Sequence, residues 1–540
     1  MMNGAEAMVK CLEAEGITQV FGYPGVAIAP FYEGLYHSGI QHILVRQEQN
    51  AGHAASGYAR LSRKPAVCVV TSGPGATNLI TALATAYADS IPIVAISGQV
   101  SSELLGRDVF QEADMRGATE SFVKHSYLVK DPDDLPRVFK EAFYIASTGR
   151  KGPVLIDVPI DVQNRALTKP FAYPESVVMR GYKPEIRVNM GQIHKVVAAL
   201  NQAKKPLICA GGGVILGDGE EMLRAFCEKF SIPLVHTMMG MGVLPKKHPL
   251  YFGMLGNNGK PYANKAVRRA DLLLVVGARL ADRAIPKPEN LAQRVAVIHI
   301  DIDTAEIGKN MGPTIPLVGD VKDIFGALMA EPIEPAAQSW IDELEEVKRN
   351  TLDGRVFSDR FVNPNTLVQK LSEKMADDAV YVADVGQNQL WSADNYVMKS
   401  GRFLTTGGMG TMGYSIPAAM GAKLFAPERQ TVAVCGDGSF QMSMNELATL
   451  RVNDIPVKIL VVRNRYLGLV REYQYNTYDA HYEGVQLYDW PRYDKLAEAY
   501  DMPFFACAHT DELDATLDAF LACPDACLMV CEVDSEDRVK

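Results

Sequence analysis

Two oxygen-bearing side chains at the ends of neighbouring apolar runs are the first residues here that could do chemistry. The run TVAVC gives way to Gly436-Asp437-Gly438-Ser439, with a helical pattern from about Met442. The run PVKILVV gives way to Arg463-Asn464, the asparagine standing 27 residues after the aspartate. Glycines flanking an acid at a strand end let backbone N–H groups approach phosphate oxygens closely. A following helix N-terminus adds its partial positive charge. Asp437 offers an anionic oxygen, Asn464 a neutral one, and the carbonyl of Tyr466 a third. A hard divalent cation such as Mg²⁺ suits so sparse an all-oxygen set, with diphosphate and water filling the rest of its octahedron. A bare Gly-Asp-Gly is only a tight turn with a capping acid; the strand-end asparagine makes the pattern specific.

Such groups need parallel sheets to hold them at strand carboxyl ends. Short apolar runs alternate with helical patterns in three successive blocks, at 1–165, 190–330 and 363–540. The first contains HILVR, PAVCVVTS, IPIVAIS and GPVLIDVP. The second contains PLICAGGG, PLVHTM, ADLLLVVGA and VAVIHIDID, and the third VYVADVG, TVAVCGDGS, PVKILVVRN and LMVCEVD. Continuous apolar strands interleaved with helices predict doubly wound α/β domains with sheets covered on both faces. Pro170, Pro174 and Pro184 mark a linker over 164–190. A second link over 331–362 holds an acidic helical stretch, SWIDELEEVKRN, expected to run over the surface.

A net charge of −10 and a pI near 5.6 argue against the basic face that nucleic acid or an anionic membrane would need. The opening MMNGAEAMVKCLEAEG reads as an amphipathic helix, not a signal peptide, and no apolar run is long enough to span a bilayer. The nine cysteines include no Cys-x-x-Cys. Cys523, Cys527 and Cys531 cross from a turn into a strand and read as buried thiols rather than a metal site. A reducing, cytoplasmic setting follows.

The Gly-Asp-Gly-Ser…Asn pattern resembles the signature of thiamine-diphosphate enzymes. From about residue 3 to the last strand the chain resembles the large subunit of acetolactate synthase (acetohydroxyacid synthase). The resemblance rests on FGYPG (21–25), EQNAGHAASGYAR (48–60), TSGPGATNL (71–79), FQEAD (110–114), KHSYLVKD (124–131), GGGV (211–214), GMLG (253–256) and VGAR (276–279). It continues through DVGQNQLW (384–391), GGMGTMGYSIPAAMGAK (407–423), GDGSFQM (436–442) and ELATL (446–450). It implies a pyrimidine-binding, a central flavin-domain-like and a diphosphate-binding domain. It also implies decarboxylation of a 2-oxo acid such as pyruvate, ligation of the remaining unit to a second 2-oxo acid, and a place in branched-chain amino acid biosynthesis.

The same resemblance assigns residues. Glu48 would activate the cofactor: a carboxyl hydrogen-bonded to N1′ favours the imino tautomer, whose 4′-nitrogen takes the C2 proton. This works best with a desolvated carboxyl, and Glu48 follows the apolar stretch HILVR. Met412 would bend the cofactor into a V, and the Gly410 carbonyl would accept from its 4′-amino group. Gly386, Gln387, Asn388, Gly436, Asp437, Gly438, Ser439, Asn464, Tyr466, Leu467 and Gly468 would bind the diphosphate end, with Asp437, Asn464 and Tyr466 on Mg²⁺. Gln111 and Phe110 would line the substrate pocket. Arg283 would clamp the acceptor carboxylate, for which its planar fork is apt; the bland alternative is a surface salt bridge. FAD in the central block stays open, since Gly211-Gly212-Gly213, Gly277-Ala278-Arg279, Asp301, Asp303 and Gly319-Asp320 could equally be strand-end turns. The resemblance further implies a homodimer or homotetramer with active sites between chains, and leaves room for a small regulatory subunit.

Departures from the family pattern sit on the substrate side. They are Val26, Arg46-Gln47-Glu48-Gln49-Asn50, Ile160, Asn257-Asn258, Leu280-Ala281, Asn388, Arg463 and Tyr473, and only residues 535–540 follow LMVCEVD where the family has a longer closing tail. Donor and acceptor identity therefore stay open. The alternatives are another thiamine-diphosphate decarboxylase, carboligase or C–C lyase, or a catalytically silent regulatory paralogue.

Overall fold

The computed structural model describes residues 2–287, 290–291, 293–312, 314–351 and 355–539. They form three six-stranded sheets, parallel throughout.

The first sheet holds β1 (Gln19–Tyr23), β2 (Gln41–Leu44), β3 (Ala66–Val70), β4 (Ile93–Gln99), β5 (His125–Leu128) and β6 (Val154–Pro159), in the order β2-β1-β3-β4-β6-β5. The third holds β13 (Val380–Ala383), β14 (Arg402–Leu404), β15 (Thr431–Gly436), β16 (Lys458–Arg463), β17 (Phe504–Cys507) and β18 (Cys527–Glu532), in the same relative order, β14-β13-β15-β16-β18-β17. The middle sheet differs. Its strands are β7 (Pro206–Ala210), β8 (Leu234–His236), β9 (Tyr251–Met254), β10 (Leu272–Val276), β11 (Ala296–Asp301) and β12 (Ile315–Val318), ordered β12-β11-β10-β7-β8-β9. That order reverses between β7 and β10, the switch-point topology that opens a crevice at strand carboxyl ends.

The apolar runs read from sequence all become strands. The additional ones, apart from β1, lie at sheet edges. β5 and β17 are mostly half-exposed, so they lack the continuous apolar signal of strands covered on both faces. The opening helix, Gly4–Ala14, starts in a capping box: Glu6 N–H donates to Asn3 Oδ1 at 2.9 Å and Asn3 N–H to Glu6 Oε2 at 2.8 Å.

First and third domains share one core. Phe21, Ala54, Ala55 and Leu83 pack in a single buried cluster with Ile416, Ala419, Met420 and Val457. Its seam is the crossing of helices Glu48–Ser62 and Ser415–Phe425, each following the second strand of its sheet. The central domain has its own core. The helix Gln338–Arg349 runs over the surface with one face exposed, as at Asp342 and Glu346, and packs the other inward. It buries Trp340, Ile341 and Leu344 in that core, and Trp340 Nε1 donates to the Pro206 carbonyl at 2.9 Å.

All nine cysteines are free, and Cys527 and Cys531 are buried in β18. Among the described residues no helix is long and apolar enough to cross a membrane.

Candidate functional site

The helix after β15 begins at Asp437 itself, spanning Asp437–Ser443, rather than at Met442. Gly436 caps it: its N–H donates to Ser439 Oγ at 3.1 Å, and that hydroxyl lies 3.2 Å from the Gly436 carbonyl. The Asp437 carboxylate is buried. It accepts from Gly438 N–H at 3.1 Å and from Arg465 N–H at 2.6 Å. Burial pushes its carboxyl up to about 6 against the pull of those N–H groups and of Arg463. Asn464, at the end of β16, accepts on Oδ1 from Tyr466 N–H at 3.0 Å and donates from Nδ2 to Gln387 Oε1 at 3.0 Å.

The remaining cofactor candidates close around this pair. A Cβ added to Gly468 would meet Gln387 Oε1 at 2.0 Å and Asn464 Nδ2 at 2.6 Å. One added to Gly438 would meet Leu467 Cδ2 at 2.5 Å and Met412 Cε at 3.5 Å. Gly386, at φ +144°, opens the helix Gln387–Asn395, and a Cβ there would lie 2.7 Å from Asn388 Oδ1. The same Asn388 oxygen would lie 3.4 Å from a Cβ on Gly436. Met412 sits in a turn between Gly410 (φ +65°) and Gly413 (φ +84°).

Sequence reasoning missed what fixes that turn. Buried Asp384 accepts from Gly413 N–H at 3.0 Å, Ser415 N–H at 2.8 Å and Val385 N–H at 2.9 Å. Its position directly after β13 was the available signal.

An acid, an amide and a carbonyl are hard oxygen donors, and the buried Asp437 carboxylate is stabilised in its ionised form by any cation brought to it. Among the described residues no group of three or more His, Cys, Asp or Glu is placed to hold a metal ion, so a cation here would rest on one acid and neutral oxygens. The donor set fits Mg²⁺ completed by diphosphate oxygens and water.

A second group forms on the first domain. Glu48 opens its helix and is half-buried rather than fully desolvated, since β2 ends at Leu44. Asn78, which sequence reasoning passed over, donates to Glu48 Oε2 at 3.0 Å. A Cβ on Gly75 would stand 3.4 Å from Glu48 Oε1. Gly73, at φ +60°, has its Cβ direction blocked 2.9 Å away by Gln111 Cα, and Gln111 is itself left-handed at φ +61°. Phe110 beside it is 88% exposed. Among the described residues no hydrogen bond or ion pair joins this group to the Asp437 group.

A cleft of about 1540 Å³ runs between the domains. It is lined by Gly212, Gly213, Gly277, Asp301 and Asp320 at the carboxyl ends of the central sheet, and by Gly410 and Tyr473 of the third domain. Arg150 of the first domain donates to Asp303 at 3.0 Å and Glu306 at 2.9 Å at the cleft's margin. Arg283 also lines the cleft. Its side chain is 81% exposed, and among the described residues its ion-pair partner is the Asp282 carboxylate 3.7 Å away.

Comparison with known proteins agrees with this division. The N-terminal TPP binding domain of thiamine pyrophosphate enzymes matches residues 2–118, their central domain 193–328, and their C-terminal TPP binding domain 384–531. The acetolactate synthase large subunit of Corynebacterium glutamicum is 43% identical over 496 residues, covering 90% of this chain and 79% of that protein. That of Haemophilus influenzae is 41% identical over 524 residues, covering 96% and 91%. The probable acetolactate synthase large subunit of Methanocaldococcus jannaschii is 43% identical over 528 residues, covering 96% and 89%. The chain belongs to the acetolactate synthase large-subunit family of thiamine pyrophosphate enzymes.

Proposed function

We propose that the protein decarboxylates pyruvate and ligates the remaining two-carbon unit to a second 2-oxo acid, forming acetolactate with pyruvate as acceptor. The observation that carries this reading is the buried Asp437–Asn464 pair, ringed by Gly386, Asn388, Gly436, Gly438 and Gly468. Thiamine diphosphate, when bound, supplies a carbanion nucleophile and an electron sink for decarboxylation.

Asp437, Asn464 and the Tyr466 carbonyl would hold Mg²⁺, and the Gly436–Ser439 turn would face the diphosphate. Met412, fixed through Asp384, supports the bend of the cofactor. Glu48 keeps Oε1 for a proton or hydrogen bond to the aminopyrimidine, while Asn78 anchors Oε2. Gln111 and Phe110 would line the substrate pocket on the Glu48 side, where Gln111 packs against Gly73. Arg283 would bind the acceptor carboxylate, supported by an exposed guanidinium that lines the cleft. The Glu48 and Asp437 groups lie on different domains, and the family resemblance assigns the two ends of the cofactor to different chains, so a second copy would complete each site, giving a homodimer at least.

FAD would lie across the crevice at the carboxyl ends of β7 and β10, where the sheet order reverses. The cleft exceeds the usual size of a small-ligand pocket. The names of the relatives in Corynebacterium and Haemophilus speak of a large subunit in those proteins; a small regulatory partner for this chain is part of the same proposal.

The test is incubation of purified protein with thiamine diphosphate, Mg²⁺ and pyruvate, with and without FAD, following pyruvate loss and acetolactate together. Acetolactate at a catalytic rate is expected. Acetaldehyde alone, or untouched pyruvate with cofactor bound, would overturn the reaction assigned. Yellow protein absorbing near the flavin band would support FAD.

A further inference from the structure

Asn464 can serve a cation only through Oδ1, so something must fix which way its amide points. Tyr466 N–H does so from one side, donating to Oδ1. The other side leads away from the cation loop. Asn464 Nδ2 donates to Gln387 Oε1, and Gln387 turns its own Nε2 to Glu472 Oε2 at 2.9 Å and the Asp537 carbonyl at 3.2 Å. A carboxylate and a carbonyl only accept, so Gln387 must present its oxygen to Asn464. Gln387, Asn464, Glu472 and Asp537 are 5%, 7%, 7% and 2% exposed, which leaves water little room to compete.

Asp537 belongs to the segment that follows β18, and that segment also grips the helix that carries Glu472. The Ser535 carbonyl accepts from Arg471 Nη1 at 2.5 Å, and Glu536 pairs with the same guanidinium. Asp537 Oδ1 accepts from Ser358 N–H at 2.8 Å. Arg538 lies over the Tyr475 ring. Val539 N–H donates to Glu472 Oε2 at 3.0 Å, and its carbonyl accepts from Arg355 Nη1 at 3.3 Å. Arg471, Glu472 and Tyr475 belong to the helix Gly468–Thr477, whose first residue abuts Gln387 and Asn464.

We propose that Gln387 and Glu472 are positioning residues, clamped by residues 535–539, that orient Asn464 toward the cation. This rests on the reading of Asp437 and Asn464 as cation ligands. Outer hydrogen-bond partners of metal ligands typically govern affinity by about 10- to 100-fold.

The experiment is calorimetric titration of Mg²⁺ into metal-free full-length protein at saturating thiamine diphosphate, with thermal unfolding of each metal-free sample alongside. The samples are the unaltered protein, Glu472→Ala, a chain ending at Asp534, and the two changes combined. Each change should weaken Mg²⁺ binding about tenfold or more. The combination should weaken it no further than the stronger single change, because both act through Gln387. A merely structural segment would lower the melting temperature and leave Mg²⁺ affinity unchanged; that result, or additive losses, overturns the proposal. If the shortened chain does not fold, Glu472→Ala decides alone, unchanged affinity being fatal. An unaltered protein that binds no Mg²⁺ overturns the ligand reading and this inference with it, whereas normal binding in every sample overturns this inference only.

Discussion

Gly468 and Gly438 both lie against the cation loop, yet an added methyl group meets different obstacles at each. At Gly468 it would collide with Gln387 Oε1 and Asn464 Nδ2, two buried atoms already hydrogen-bonded to one another. Relief means breaking that bond and turning the Asn464 amide. At Gly438 the nearest atom is Leu467 Cδ2, the end of a side chain that can change rotamer. Gly468→Ala should therefore weaken Mg²⁺ binding, titrated without thiamine diphosphate so that contacts to the diphosphate do not enter, by about tenfold or more, and Gly438→Ala much less. Equal losses in a Mg²⁺ titration of the two variants would remove the special status of the Gln387–Asn464 bond. Asp437 and Asn464 stood out in the sequence by side-chain chemistry and spacing, whereas Glu48 was singled out only through the family resemblance. Glu472 and Asp537 were not legible there: they reach Gln387 across 85 and 150 residues, through bonds that leave no local pattern.

The elements divide in the same way. Interior strands such as β15 and β16 announce themselves as unbroken apolar runs because both faces are covered. Edge strands such as β17 do not. Least visible was the seam between first and third domains. EQNAGHAASGYAR and GYSIPAAMGAK read only as motif segments, yet their glycines set how closely the two helices approach. A Cβ on Gly57 would stand 1.9 Å from the Ala418 carbonyl oxygen, and one on Gly421 1.9 Å from that of Ala54. Backbone cannot rotate aside as a side chain can, so the helices would have to separate and the shared core loosen. Gly57→Ala or Gly421→Ala should cost about 3 kcal/mol, a fall in melting temperature of roughly 3–4 °C for two domains that share one core. The small intrinsic helix gain of alanine over glycine does not offset this. A variant that melts with the unaltered protein would mean the seam yields freely.

At the scale of the molecule, the two proposed halves of the site stand on different domains of one chain. Glu48 is anchored by Asn78 on the first domain, and Asp437 by the Arg465 N–H on the third. The shared helix seam holds those domains in a fixed relation within the chain. Around the halves lie exposed apolar side chains, Val26, Phe110, Met409 and Met442 among them, which a second copy would cover. Two-fold pairing is reciprocal: if the Glu48 half of one chain meets the Asp437 half of its partner, the converse holds at the other site. Mixing can test this. Glu48→Gln and Asp437→Ala proteins should each be nearly inactive as pure dimers. After unfolding together in equal amounts and refolding, half the dimers are mixed. In a mixed dimer one site carries both lesions and the other neither. The mixture should recover about a quarter of the unaltered activity, as random two-fold pairing requires. If each site were built within a single chain, every site would keep one lesion and mixing would restore nothing, however well the chains exchanged.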